Sequence, residues 1–173
     1  MTIAIAWGFV EKEKPNFDLV ALRPPMIYGP LSHTIASTED LNQSNNRIYQ
    51  GFVKSSKDDE LPPNGLYLFV NVRDIAAAHV QAMMVKEASN RRFVVSQGQI
   101  SSQQLADILR ENIAELETRT PIGKPGSRGL PANAYKADSS LSENLLGIRY
   151  RDATETFVGL GRQLLNLEKQ QRA

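Results

Sequence analysis

The chain has 173 residues, of which 41% are apolar and 23% charged, enough for one soluble domain with a real core. Twenty Lys and Arg against nineteen Asp and Glu leave a formal charge of +1, so no basic field selects for nucleic acid or an acidic membrane surface. The absence of cysteine excludes a disulfide framework, a thiolate nucleophile and thiolate zinc sites, and the two histidines, His33 and His79, have no metal-ligand spacing.

Residues 2 to 14 place Ile3, Ala6, Trp7 and Val10 at helical spacing before Pro15, which reads as an amphipathic helix. No basic and apolar leader precedes it, and no apolar run reaches the roughly 20 residues a bilayer needs; a cytoplasmic setting is the default expectation. Phe17 to Leu22 reads as a buried strand, closed by Arg23-Pro24-Pro25, because two prolines forbid a continuing strand or helix. Residues 26 to 66 form a loop-rich insert with a helix near Leu41 to Phe52, and such inserts often carry function.

Leu66 to Val72 is a second strand. Asp74 is then read as the N-cap of a helix whose Ala76, Val80, Met83 and Met84 form the core stripe. Arg73-Asp74 reads as structural rather than catalytic, and His79 as a hydrogen-bonded packing residue. A third strand over Arg92 to Ser96 leads to a capping box, Ser101-x-x-Gln104, and a helix carrying Leu105, Ile108, Leu109, Ile113 and Leu116. Thr120 to Ala134 is a loop. Its Gly123-x-x-Gly126-x-x-Gly129 has the spacing of a dinucleotide turn but follows a helix and is interrupted by prolines, so it reads as a loop only. A short helix from Ser140 ends at Gly147, and a last helix runs from about Asp152 to Gln170. Alternating strands and helices predict an α/β fold with few parallel strands, several helices and an incomplete outline.

Certain segments, read in order, carry a likeness that covers nearly the whole chain. They are Trp7-x-Phe9-Val10, Arg23-Pro24-Pro25-Met26-Ile27-Tyr28-Gly29-Pro30, Leu41-Asn42-x-Ser44-Asn45, Asn71-Val72-Arg73-Asp74-Ile75-Ala76-x-Ala78-His79 and Leu145-Leu146-Gly147. Together they resemble the extended short-chain dehydrogenase/reductases, and within them the fungal and yeast NADPH-dependent aldehyde and ketone reductases.

The resemblance implies the C-terminal, substrate-side half of a Rossmann-type reductase. That family's glycine-rich cofactor turn and Tyr-x-x-x-Lys pair have no counterpart here: no Tyr is followed four positions later by Lys, and the family's Lys would fall just before Met1. The resemblance further implies that Pro24, Pro25, Met26 and Ile27 line the nicotinamide, that Ser44 lies near the cofactor phosphates, and that Tyr28, His33, Asn42 and Tyr49 face a small carbonyl-type substrate. It makes NADPH the family cofactor, not expected to bind this chain alone. Asn71 stands where the family usually has Asp.

Two other readings stay open. One is a redox-neutral isomerase or cyclase using Tyr28, His33 or Arg73 as acid, base or anion-stabilising groups. The other is a non-catalytic partner, either a homodimer or a chain pairing through an open sheet edge next to Val20-Ala21-Leu22.

Overall fold

The computed structural model describes residues 2–32, 35 and 37–172; His33 lies outside them. The elements run α1 (Thr2–Glu13), β1 (Ala21–Arg23), β2 (Met26–Tyr28), α2 (Gln43–Ile48, continued by a wider turn over Tyr49–Val53), β3 (Leu68–Asn71) and α3 (Val72–Met84). They continue with β4 (Arg92–Val94), β5 (Gly98–Gln99), α4 (Ser102–Asn112), α5 (Ala114–Glu117), α6 (Ser140–Leu146) and α7 (Ala153–Arg172).

The strands are shorter than the sequence predicts and form two sheets. β1 pairs in parallel with β4, Leu22 opposite Phe93. β2 pairs in parallel with β3, Tyr28 opposite Asn71, and β5 adds antiparallel to β3. Arg23-Pro24-Pro25 does end β1, as its missing amide protons require, but the chain re-enters extended pairing at once as β2. Phe17 is exposed and outside any strand.

The β2–β3 sheet divides the interior. Alternation along the pleat sends Met26, Tyr28 and Phe69 to one side, where α2, α4 and α7 supply Ile48, Phe52, Leu105, Leu109, Phe157 and Leu164. Ile27 and Val70 point to the other, where Ile75, Ala78, Phe93, Val95 and Leu146 form a second, smaller core.

Two readings of α3 need correction. Its N-cap is Asn71, whose Oδ1 accepts from the Arg73 amide at 2.9 Å, while Asp74 sits inside the first turn and is 1% exposed. The buried stripe is Ile75 and Ala78, leaving Val80, Met83 and Met84 at 51%, 79% and 76% exposure. Apolar residues occupy both faces of this helix, so periodicity alone picks neither. The capping box holds: Gln104 donates its amide to Ser101 Oγ and returns its side-chain oxygen to the Ser101 amide. α4 nevertheless stops at Asn112, and Ile113 and Leu116 reach the core from the turn and the short α5. Ser140 is not a cap, but Gly147 ends α6 in the left-handed conformation as expected.

Candidate ligand-binding corner

Ligands of parallel α/β sheets lie beyond the carboxyl ends of the strands. Here the β2 and β3 ends meet at Tyr28-Gly29 and Asn71. Gly29 has φ +131°, and a Cβ there would lie 3.0 Å from Val72 Cγ1, so the tight corner requires glycine. Asn71 locks it from the other side, donating Nδ2 to Thr156 Oγ1 at 3.0 Å, and Thr156 in turn donates to the Asp152 carbonyl at 2.7 Å. The next residues are clamped to α7: the Leu31 amide donates to Gln163 Oε1 at 2.6 Å, and Gln163 Nε2 donates to the Leu31 carbonyl at 2.8 Å.

α2 brings polar groups to this corner. Asn42 caps it, its Oδ1 accepting the Asn45 amide at 3.1 Å, and the half-buried Ser44 also turns its hydroxyl toward Asn42. Asn45, buried, donates Nδ2 to the Gly29 carbonyl at 3.2 Å, and its Oδ1 has no partner. An unpaired buried acceptor costs about 1–3 kcal/mol unless a donor reaches it, which is what a ligand hydroxyl or amide would supply. Pro24, Pro25, Met26 and Ile27 are half-buried and lead along β2 to the corner, Met26 packing on the larger core and Ile27 on the smaller.

The named tyrosines are core residues. Tyr28 is 3% exposed with its ring 5.2 Å from Phe157. Burial raises its pKa above 10.0, partly opposed by the charge and hydrogen bond of Arg47. Arg47 also donates to the Pro63 and Asn64 carbonyls at 2.6 and 3.0 Å and to Ser102 Oγ at 3.2 Å. Tyr49 is also buried, beside Thr38 and Glu168, and burial raises its pKa. Arg73 is exposed and reaches Glu155 at 3.7 Å. The structure therefore brings Asn42, Ser44 and Asn45 to the Gly29 corner, with Asn42 exposed, while Pro24 and Pro25 precede β2 at its other end and Met26 and Ile27 face opposite cores. Asn45 enters the sequence reading only within the segment Leu41-Asn42-x-Ser44-Asn45 that carries the family likeness, with no role assigned, and no local signal marks Thr156.

The Gly123–Gly129 loop is closed as a phosphate cradle. Its Lys124 and Gly126 amides already donate to Gln103 Oε1 and Asp107 Oδ2 at 2.6 and 2.9 Å. A Cβ on Gly123 would meet Gln103 Oε1 at 2.3 Å and one on Gly129 Ser101 Oγ at 2.8 Å, so these two glycines serve packing against the start of α4. Among the described residues no cluster of three His, Cys, Asp or Glu could hold a metal, and no helix is long and apolar enough to cross a membrane. A cavity of about 680 Å³ lies elsewhere, between α3 and the amino end of β1.

No protein-family profile matches the chain. It is 36% identical over 154 residues to the ketoreductase azaE of Aspergillus niger, covering 89% of this chain and 45% of that protein. It is 32% identical to the NADPH-dependent methylglyoxal reductase of Saccharomyces cerevisiae, covering 94% and 48%. The solved structure of the yeast methylglyoxal/isovaleraldehyde reductase complexed with NADPH superposes with a TM-score of 0.83 at 30% identity, covering 95% of this chain and 48% of that one. The chain thus spans about half the length of the relatives it matches.

Proposed function

Because the chain belongs to the extended short-chain dehydrogenase/reductases and corresponds to their C-terminal half, we propose that it forms the substrate side of an NADPH-dependent aldehyde or ketone reductase. The observation that carries this reading is the corner at Gly29, where one unpartnered buried oxygen, Asn45 Oδ1, lies at the carboxyl ends of two parallel strands. When bound, the cofactor supplies the hydride. Pro24, Pro25, Met26 and Ile27 would exclude water from one side of the ring, Ser44 would approach the phosphates, and Asn45 would accept a hydrogen bond that orients the bound molecule.

The 173 residues hold no Tyr-x-x-x-Lys to donate and relay the carbonyl proton, and the one glycine repeat is occupied by Gln103 and Asp107. Carbonyl reduction by this chain alone is therefore not expected. Losing several charge-assisted hydrogen bonds, each worth about 1.5–3 kcal/mol, takes a micromolar nucleotide site past about 1 mM.

Two titrations of the purified chain test the reading. Calorimetry with NADPH should give no saturation below the millimolar range, and micromolar binding would overturn the half-site assignment. Isovaleraldehyde, followed by amide chemical shifts, should perturb Met26, Ile27, Gly29 and Asn45. Shifts confined to other surfaces would remove the corner as the substrate side.

A further inference from the structure

We propose that Asn64 is a site of spontaneous deamidation, its side-chain amide closing on the Gly65 nitrogen and hydrolysing to aspartate or isoaspartate, and that this change releases the loop over residues 123–129. The inference rests on the turn at residues 62–65 and not on the reductase reading.

Asn64 is the one asparagine of the eleven in the chain that precedes a glycine. That neighbour matters because a residue without Cβ lets another group approach its backbone nitrogen closely. Gly65 is exposed and has φ +64°, the left-handed conformation that closes the Pro62-Pro63-Asn64-Gly65 turn. A surface cavity of about 380 Å³, lined in part by Pro63, Asn64, Ser102 and Lys124, brings water to the Asn64 side chain.

The reaction needs only water. Hydroxide takes the Gly65 amide proton, the nitrogen bonds to Asn64 Cγ, and negative charge collects on Oδ1. The Cγ–Nδ2 bond then breaks, and Nδ2 leaves as ammonia with a proton from water, which returns the hydroxide. One further water opens the five-membered imide at either carbonyl. Two neighbours favour the first step. The Ser102 amide donates to Oδ1 at 2.7 Å, so a fixed donor already points at the atom where charge develops. The Arg47 guanidinium lies beside Gly65, its Nε 3.6 Å from where a Cβ would stand there, and donates to the Asn64 carbonyl at 3.0 Å. It thereby polarises the peptide group whose nitrogen attacks, and a cation so near favours the deprotonated nitrogen.

The consequence follows from what Asn64 holds together. Its Nδ2 donates to the Gly129 carbonyl at 2.7 Å, its Oδ1 accepts from the start of α4, and its own carbonyl accepts from Arg47 of α2. Aspartate keeps the second and third bonds and places a negative charge at the amino end of α4, where the helix dipole favours it. It loses the first, because the atom replacing Nδ2 is an oxygen facing the Gly129 oxygen. The loop keeps its bonds to Gln103 and Asp107 but loses this tie to the turn.

The test is incubation of the full 173-residue chain at pH 8, folded in buffer and unfolded in guanidinium chloride, with Asn64 followed by peptide mass spectrometry. Conversion at Asn64 should be at least as fast folded as unfolded, and at least tenfold faster than at the exposed Asn16, Asn90 and Asn133 of the folded chain. Ser102→Pro removes the donating amide at the first position of α4, where proline is tolerated, and should slow the folded rate at least threefold. Ser102→Ala, which keeps that amide, should not. In Asn64→Asp, hydrogen exchange at Gly126 and Ser127 should quicken at least threefold while the middle of α4 stays unchanged. Slower conversion in the folded chain than in the unfolded one, a rate indifferent to Ser102→Pro, or unaltered loop exchange in Asn64→Asp would each overturn the proposal.

Discussion

Asp74 shows how a residue's neighbours in sequence can misdirect. Placed just after a strand, it reads as a helix cap, yet its carboxylate accepts the Arg151 amide at 2.9 Å and pairs with the Arg151 guanidinium, 77 residues away. Nothing local announces that partner. Truncating one side of a buried pair strands the other charge, at a cost of about 3–5 kcal/mol. Arg151→Met should therefore lower unfolding free energy by about 3 kcal/mol in urea, whereas Arg73→Met, which removes an exposed 3.7 Å pair, should change it by less than about 1 kcal/mol.

The tyrosines make a second prediction at this scale. Burial raises the pKa of Tyr28 and Tyr150 above 10.0 in the folded chain, so the neutral phenol is the form the fold prefers. Below about pH 10 both states hold the proton and stability is flat in pH; above it the unfolded chain ionises first and stability falls until the folded phenols also titrate. Urea midpoints measured from pH 8 to 11 should drop above pH 10. The drop should shrink in Tyr28→Phe.

Among elements, α7 packs tightly against α4 and the turn that follows it. A Cβ on Gly161 would lie 2.8 Å from Ile113 Cδ1 and 3.0 Å from Leu109 Cδ2, all within the core. Gly161→Val should overpack this seam and destabilise by about 1–3 kcal/mol. Gly8, in the middle of α1, has nothing within 4 Å of the same position, and Gly8→Ala should stabilise that helix by about 0.5–1 kcal/mol, read as increased ellipticity at 222 nm.

The helices were the readable part of this sequence, since Ser101, Gln104 and Gly147 act within one turn of where they stand. The strands were not, being two to four residues long and defined by partners about 30 to 70 positions distant rather than by their own alternation. Of the ligand corner, Pro24 to Ile27 and Ser44 came from family likeness. The role of Asn45 needed the fold, because only its burial against Gly29 shows an oxygen left without a donor.

At the scale of the molecule, packing is uneven. α4 and α7 enclose the larger core, while α1, twelve residues long, leans on the sheet chiefly through Trp7 and Arg92. A helix of that length is marginal in water without tertiary support. Amide exchange should accordingly be orders of magnitude faster across α1 than in the middle of α4 or α7, with protection at Leu22 low in the isolated chain. Uniform protection across all helices would contradict this ranking.

The partition of the interior by β2 and β3 bears on how substitutions combine. Phe93 and Leu109 belong to different cores and share no packing partner, so the losses from Phe93→Ala and Leu109→Ala should sum to within about 0.5 kcal/mol in the double variant. Phe69 and Val70 are adjacent in the dividing strand and face opposite cores, so shortening either shifts the backbone that the other depends on. Their double-variant cycle should show an interaction energy of about 0.5 kcal/mol or more. A chain built this way can accumulate changes in the smaller core without disturbing the larger one, so long as the two strands between them stay fixed.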